Sequence, residues 1–224
     1  IKVDAVLVQD MAIVDMVMHC EDNDPLAYFR NRLHASTQTD NRSADKVAWL
    51  NNIGFSRVVL ARELSSNEIK NIHQQQPNVE LEAFVHGALC VSYSGQCYAS
   101  QYCFGRSANR GECAQFCRMK FDLTDSNDKL LYQQLHLLSL KDMCQINHLE
   151  QLLEAGVVSL KIEGRLKDTT YVKNVVAAYS TRLNEIIAKS PNKYKRSSLG
   201  HCQYAFTPNL SKTFNRGYTT YFLN

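Results

Sequence analysis

The sequence predicts an α/β fold built around a parallel sheet. Short apolar runs alternate with amphipathic ones along most of the 224 residues, the order expected of strands joined by helical crossovers. Strand starts recur roughly every 25 residues, a beat that suits a (β/α)8 barrel or a doubly wound sheet. The 45% hydrophobic content supplies one substantial core, or one domain with an appendage.

Taken in order, residues 5–8 (AVLV) read as a strand, and Met11–His19 as a helix with apolar residues at helical spacing. Residues 33–36 form a short strand, followed by a helix from about Ser43 to Asn52 that Gly54 stops. Residues 57–61 are the next strand. Ser65 caps the helix after it, with Glu68 three residues on completing a capping box. Residues 79–85 read as a strand, and 86–134 as a long insertion rich in Cys, Gly and Ser. Residues 137–140 and 157–162 resume the strand pattern, separated by a helix around Ile146–Glu154 that stops at Gly156. The clearest helix runs from about Thr169 to Lys189, with Val172, Val175, Val176, Tyr179, Leu183, Ile186 and Ile187 as its apolar stripe. Asp168 or Thr169 caps it and Pro191 follows its end. Residues 190–198 form a polar, basic linker, and the tail alternates around Tyr204 and Phe206 like a strand before an ordered loop.

That division places a partial α/β domain in residues 1–190, including the insertion, and a linker with a short β-containing extension in 191–224. Six strands are too few for a complete eight-stranded barrel. The chain also opens at Ile1 without an initiator Met and runs straight into a strand pattern. Both features lead us to expect a piece of a longer protein that lacks the first strands.

The net charge of +3, from 25 basic and 22 acidic residues, is too balanced to define a nucleic-acid binder by itself, and leaves local basic patches open. No apolar run approaches the length of a transmembrane helix and no signal peptide is visible, so no membrane partner is expected. Eight cysteines without a secretory signal point to a reducing, cytoplasmic setting, where thiols stay free or ligate metal. Disulfide scaffolds compensate for poor cores, and this chain is rich in Val, Leu and Ile. It contains no GxSxG, no HExxH and no Gly-rich phosphate loop.

Function in such sheets gathers at the carboxyl ends of strands. Gln9 and Asp10, His34 to Gln38, Arg62 and Glu63, and Lys161, Glu163 and Arg165 mark four such ends. Any one of them serves equally well to satisfy loop backbone; together they outline a polar mouth. The cysteine-rich segment follows a strand and so belongs over that mouth. Cys90 and Cys97 are spaced C-x6-C, and Cys113 and Cys117 C-x3-C, with Cys103 between the pairs and Cys144 farther on. Four thiolates suit zinc or an iron–sulfur cluster, and the wide first spacing favours the cluster over a zinc knuckle. Cys20 and Cys202 read as ordinary buried thiols. A nucleophilic cysteine would need His86 or His34 as its base, and no protease signature surrounds any cysteine. Arg106, Arg110 and Arg118 lie beside the thiols, interleaved with Tyr93, Tyr98, Tyr102 and Phe104. That mix serves loop packing or, alternatively, the stacking of unpaired bases with their phosphates.

The segment VHGALCVSYSGQCYASQYCFGRSANRGECAQFCR closely resembles the signature of the collagenase-like peptidase family U32. SLKIEGRLKDTTYV at 159–172, LHASTQ at 33–38, RVVLARELS at 57–65 and TFNRGYTTYFL near the end are similar to further segments of that family. The resemblance implies a TIM-like barrel whose first strands are missing here. It also implies one of two activities: peptide hydrolysis, after collagen-degrading members, or hydroxylation of RNA or ubiquinone by branches that carry a four-cysteine [4Fe–4S] cluster. Carried over by position, the ligands are Cys90, Cys97, Cys113 and Cys117, with Cys144 or Cys103 in reserve for the fourth. We therefore expect an iron–sulfur protein supporting hydroxylation of a nucleobase in rRNA or tRNA. A collagenase-like peptidase and a zinc-stapled binding scaffold are the alternatives. Glu163, Arg165 and His34 are the expected catalytic residues. Arg62, Lys161, Arg106 and Arg110 are expected to hold the substrate.

Overall fold

The computed structural model describes residues 3–200 and 202–223, so Ile1, where the chain opens, lies outside the described residues. Its main sheet has seven strands: β1 (Val6–Val8), β2 (Leu33–Ala35), β3 (Phe55–Val59), β4 (Glu80–Gly87), β7 (Asp142–Cys144), β8 (Val157–Ile162) and β9 (Tyr218–Thr219). β5 (Phe121–Thr124) and β6 (Leu130–Leu135) pair with each other as a separate antiparallel hairpin. Strands β1, β2, β3, β4 and β8 run parallel in that spatial order, without reversal. β7 joins the end of β4 antiparallel, at His86 and Gly87, and β9 lies parallel to β7.

The helices begin where side chains satisfy their free amide groups. Asp10 caps α1 (Met11–His19), Ser43 caps α2 (Ala44–Asn52), and Asp168 caps α6 (Thr169–Lys189). At α3 (Ser66–Gln75) the Ser65–Glu68 capping box closes in both directions. α4 (Ala99–Phe104) lies in the insertion, and α5 (Leu149–Glu154) leads into β8. Between α5 and β8, Gly156 sits at φ +97° so close to His73 that a Cβ would meet the imidazole at 2.2 Å. No other residue fits there.

Side chains alternate across a strand. On one face Val8, Leu33, Ala35, Val58, Leu81 and Val85 share a single core with Val14, Leu50, Ile72, Leu152, Val175 and Ile186 of the helices. The opposite face carries charge. Arg57 pairs with Glu80 at 2.6 Å, Lys161 with Glu82 at 3.2 Å, and Ser159 Oγ donates to Glu82 at 2.7 Å. Burial of Glu82 raises its pKa, but the Ser159 bond and Lys161 outweigh it and hold the carboxyl below its ordinary range.

Four sequence expectations are corrected. Residues 137–140 form no strand; Leu137 and Leu138 sit in an exposed turn, because β6 already pairs with β5 and leaves that run no partner. The tail strand lies at Tyr218–Thr219, where β7 offers an edge, rather than around Tyr204 and Phe206. In α6, Val172 and Val176 are exposed, while Tyr171 and Ala178 face inward with Val175, Tyr179 and Ile186. Cys202 is exposed and Cys20 half-buried; neither is a core thiol. No described helix is long and apolar enough to cross a membrane.

Candidate functional site

The carboxyl ends of β3, β4 and β8 deliver three groups to one place. Arg62 follows β3, the Ala88–Cys90 segment follows β4, and Glu163 follows β8. Glu163 N donates to His86 O at 2.8 Å, which locks the ends of β4 and β8 together. The close approach depends on Gly87, at φ +109°, where a Cβ would meet the Glu163 carbonyl oxygen at 2.6 Å. Arg62 pairs with Glu163 at 3.3 Å and lies over the Phe84 ring at 3.7 Å. Burial draws the Arg62 guanidinium down from its usual pKa, and Glu163 acts against that shift. Arg165 N donates to the other Glu163 oxygen at 2.9 Å, so this carboxylate is held at both oxygens.

Above these groups the cysteine-rich segment folds over a cavity of about 580 Å³, whose lining includes Cys90, Cys97, Cys113, Cys117, Arg62 and Glu163. The loop between Cys90 and Cys97 is clamped from below. Glu63 accepts from both Ser94 N and Ser94 Oγ, the latter at 2.9 Å. Gly95, at φ +78°, rests on the Gln38 carbonyl, and Asn109 Nδ2 donates to Gly95 O at 3.1 Å. Arg118 donates to Leu89 O and to Ser139 Oγ, tying the Cys117 end to the strand exit.

All eight cysteines are free. Burial, reinforced by neighbouring thiols, pushes the Cys90 and Cys117 thiols above the ordinary value. Raised thiols are weak nucleophiles, and a bound cation is what converts such groups to thiolates. Among the described residues no three His, Cys, Asp or Glu side chains are gathered closely enough to grip a single metal ion. The four thiols line one cavity without gathering into a single-ion site.

The remaining expected residues are dispersed. Cys103 is exposed on α4, and Cys144 lies in β7 near the Tyr179 hydroxyl at 3.8 Å; neither lines the thiol cavity. Lys161 sits deeper along the charged face, with Phe84 between it and Arg62. His34 lines a different cavity of about 740 Å³ at the amino ends of the strands, where burial lowers its pKa. Arg106 and Arg110 are exposed and outside the lining. His86, 1% exposed, contacts Tyr179 OH through Nδ1 at 3.2 Å and is packed among Tyr171, Tyr179 and Tyr218. Of these rings Tyr171 lines the cavity, and His86 is buried behind it. Neither candidate histidine lines the thiol cavity.

The sequence reading missed two contributors. One is the Glu63–Ser94 clamp, for which the strand-end position of Glu63 was the only signal. The other comes from the far end of the chain, where Lys212, Phe214 and Arg216 join Lys167 along the same cavity. Arg216 is anchored there by Asp142 at 3.1 Å. No spacing rule links segments so far apart.

The family model described as Peptidase family U32 matches residues 1–224. The chain belongs to that family. The resemblance carried by its motifs is borne out. This U32 chain is 46% identical over 222 residues to the 23S rRNA 5-hydroxycytidine C2501 synthase of Escherichia coli (strain K12), covering 99% of the chain and 32% of that protein. It is 39% identical over 166 residues to tRNA hydroxylation protein P1 of Bacillus subtilis (strain 168), covering 71% of the chain and 39% of the relative. It is also 32% identical over 198 residues to a collagenase of Porphyromonas gingivalis (strain ATCC BAA-308 / W83), covering 83% and 46% respectively. The chain thus spans between a third and about half of the length of these relatives. No solved structure matches.

Proposed function

We propose that this U32 chain forms the catalytic core of a cytoplasmic iron–sulfur enzyme that hydroxylates a nucleobase in rRNA or tRNA. The observation that carries the reading is the cavity whose lining holds four thiols together with the Arg62–Glu163 pair. The names of the rRNA and tRNA relatives support the same chemistry.

The donor set fits a [4Fe–4S] cluster. A single tetrahedral zinc ion, with Zn–S bonds of about 2.3 Å, needs its sulfurs drawn tightly together. A cubane holds its four ligand sulfurs farther apart, which suits four thiols that line one cavity without gathering into a single-ion site. Cys90, Cys97, Cys113 and Cys117 would hold the cluster, and when bound it supplies redox chemistry at the cavity. The protein's own residues do the rest. Arg62, its charge offset by Glu163, orients an anionic group on a small oxygenated donor. Arg165 stands beside it, with its guanidinium bonded to Gly111 O. Glu163, fixed at both oxygens, is the group placed to take or return a proton. The loop clamped by Glu63 and Ser94 keeps water out of one side.

The sequential, unreversed order of the five parallel strands and the helices on one face only support a segment of a TIM-like barrel. A doubly wound sheet reverses its order and covers both faces.

The collagenase relative keeps a peptidase reading in play. Deletion of the gene followed by mass spectrometry of total RNA nucleosides tests the two. The hydroxylated nucleoside should disappear, and should return with the wild-type gene but not with Cys90→Ser. Unchanged nucleosides, together with cleavage of a peptide library by the purified protein, would establish the peptidase instead.

A further inference from the structure

The cavity lining is unbalanced in charge. Arg62, Arg118, Arg165, Lys167, Lys212 and Arg216 face two carboxylates, Glu163 and Asp168. Arg62 and Arg216 have acidic partners, whereas no ion pair joins Arg118, Arg165 or Lys167 to a carboxylate among the described residues. Burial lowers the pKa of Lys167; Asp142 opposes that shift, and Arg216 and Arg118 add to it. Crowded cations of this kind are stabilised by an incoming anion.

A second observation concerns the same edge. Phe214 is 60% exposed and lies outside the hydrophobic core. Lys167 Nζ stands 4.2 Å from its ring centre and the Arg216 guanidinium 4.9 Å. Leu166, 82% exposed and held at φ +58°, also lines this cavity. At so exposed a site each of these cation–π contacts is worth only about 0.5–1 kcal/mol, and most of the ring stays open to water. Nucleic-acid grooves that hold single strands are built from this combination, with rings for the bases and cations for the phosphates.

Resting on the RNA reading above, we infer that Phe214, with Lys167, Arg216 and Lys212, is the platform that seats the unpaired strand beside the target nucleobase. One base stacks against Phe214 in place of a cation now over its ring, and the displaced cation and its neighbours meet the phosphates on either side of that base. The tail segment thereby holds the strand, while Arg62 and Glu163 remain free for the reacting group. The platform is sequence-tolerant, because every base presents a ring face and every nucleotide a phosphate.

The test is fluorescence anisotropy of the full-length protein with a labelled single-stranded oligoribonucleotide of mixed sequence, across a salt series. Phe214→Ala should weaken binding about ten-fold or more and leave the salt slope unchanged, and Phe214→Trp should restore it. Lys167→Gln should lower the salt slope by about one. Phe214 is exposed, so its replacement should leave urea unfolding as in the wild type. Wild-type binding that Phe214→Ala leaves intact overturns this inference alone. Failure of the wild type to bind any RNA overturns it together with the RNA reading. Equal displacement of the RNA by a Glu-rich peptide, lost in Phe214→Ala, would make the platform a peptide groove instead.

Discussion

Gly87 joins the strand that leads into the thiol segment to the Arg62–Glu163 ion pair, and replacing it by alanine measures that coupling. Its φ of +109° lies where an L-residue is strained. The strain costs about 1–2 kcal/mol, partly offset by the lower entropy of the unfolded chain. The added Cβ would stand 2.6 Å from the Glu163 carbonyl oxygen, about 0.8 Å short of ordinary contact at 3.4 Å. Backbone cannot swing aside as a side chain does, so overpacking adds about 1–3 kcal/mol. The expected loss is about 2–4 kcal/mol in urea unfolding, with the ends of β4 and β8 pushed apart. That displacement also lengthens the Arg62–Glu163 pair, now 3.3 Å. Gly111, at φ +90° with nothing within 4 Å of an added Cβ, is the control, since it carries the backbone strain alone. Gly111→Ala should cost about 1 kcal/mol. If the two variants unfold within about 0.5 kcal/mol of each other, the steric coupling is wrong.

Burial brings His86 from near 6.5 down to about 4, with Asp142 opposing and Lys167 adding to the shift. The folded state thus favours the neutral ring, and its stability is full above the unfolded value and lost as pH falls toward 4. Between about pH 7 and pH 5 the loss is about 2 kcal/mol, and His86→Gln should remove that part of the slope; equal slopes in urea titrations would refute it. Glu63→Gln keeps the shape of the clamp but weakens two charge-assisted bonds to Ser94, so iron should be lost to a chelator about ten-fold faster, with unchanged loss counting against the clamp. Cys117→Ser should abolish cluster assembly while Cys103→Ser, altering an exposed thiol outside the cavity, leaves iron content at the wild-type level. Iron loss in both would show that Cys103 is a ligand.

Much of the fold was legible because it is written locally. The Ser65–Glu68 box, the Asp168 cap and the apolar spacing of α1 need no distant partner to be recognised. The turn at 137–140 was misread because an apolar run becomes a strand only where an edge is available, and β5 had already taken β6. The α6 stripe slipped for a related reason. Spacing fixes a stripe's width but not its centre, and the Tyr179 hydroxyl, donating to Val85 O at 2.8 Å, sets the rotation. Strand-end logic placed Arg62, Glu163 and Arg165 together, and they line one cavity. His34 lines another, because β2 is only three residues long and its middle residue opens toward the amino end. The tail platform was invisible. It exists only because β9 docks on β7, a pairing between residues 142–143 and 218–219 that no local pattern encodes.

Anaerobic purification followed by iron, sulfide and zinc analysis addresses the central assignment most directly. A brown protein with about four irons and four sulfides per chain, lost in Cys90→Ser, is the expected result. A colourless protein holding one zinc per chain and no sulfide would contradict it.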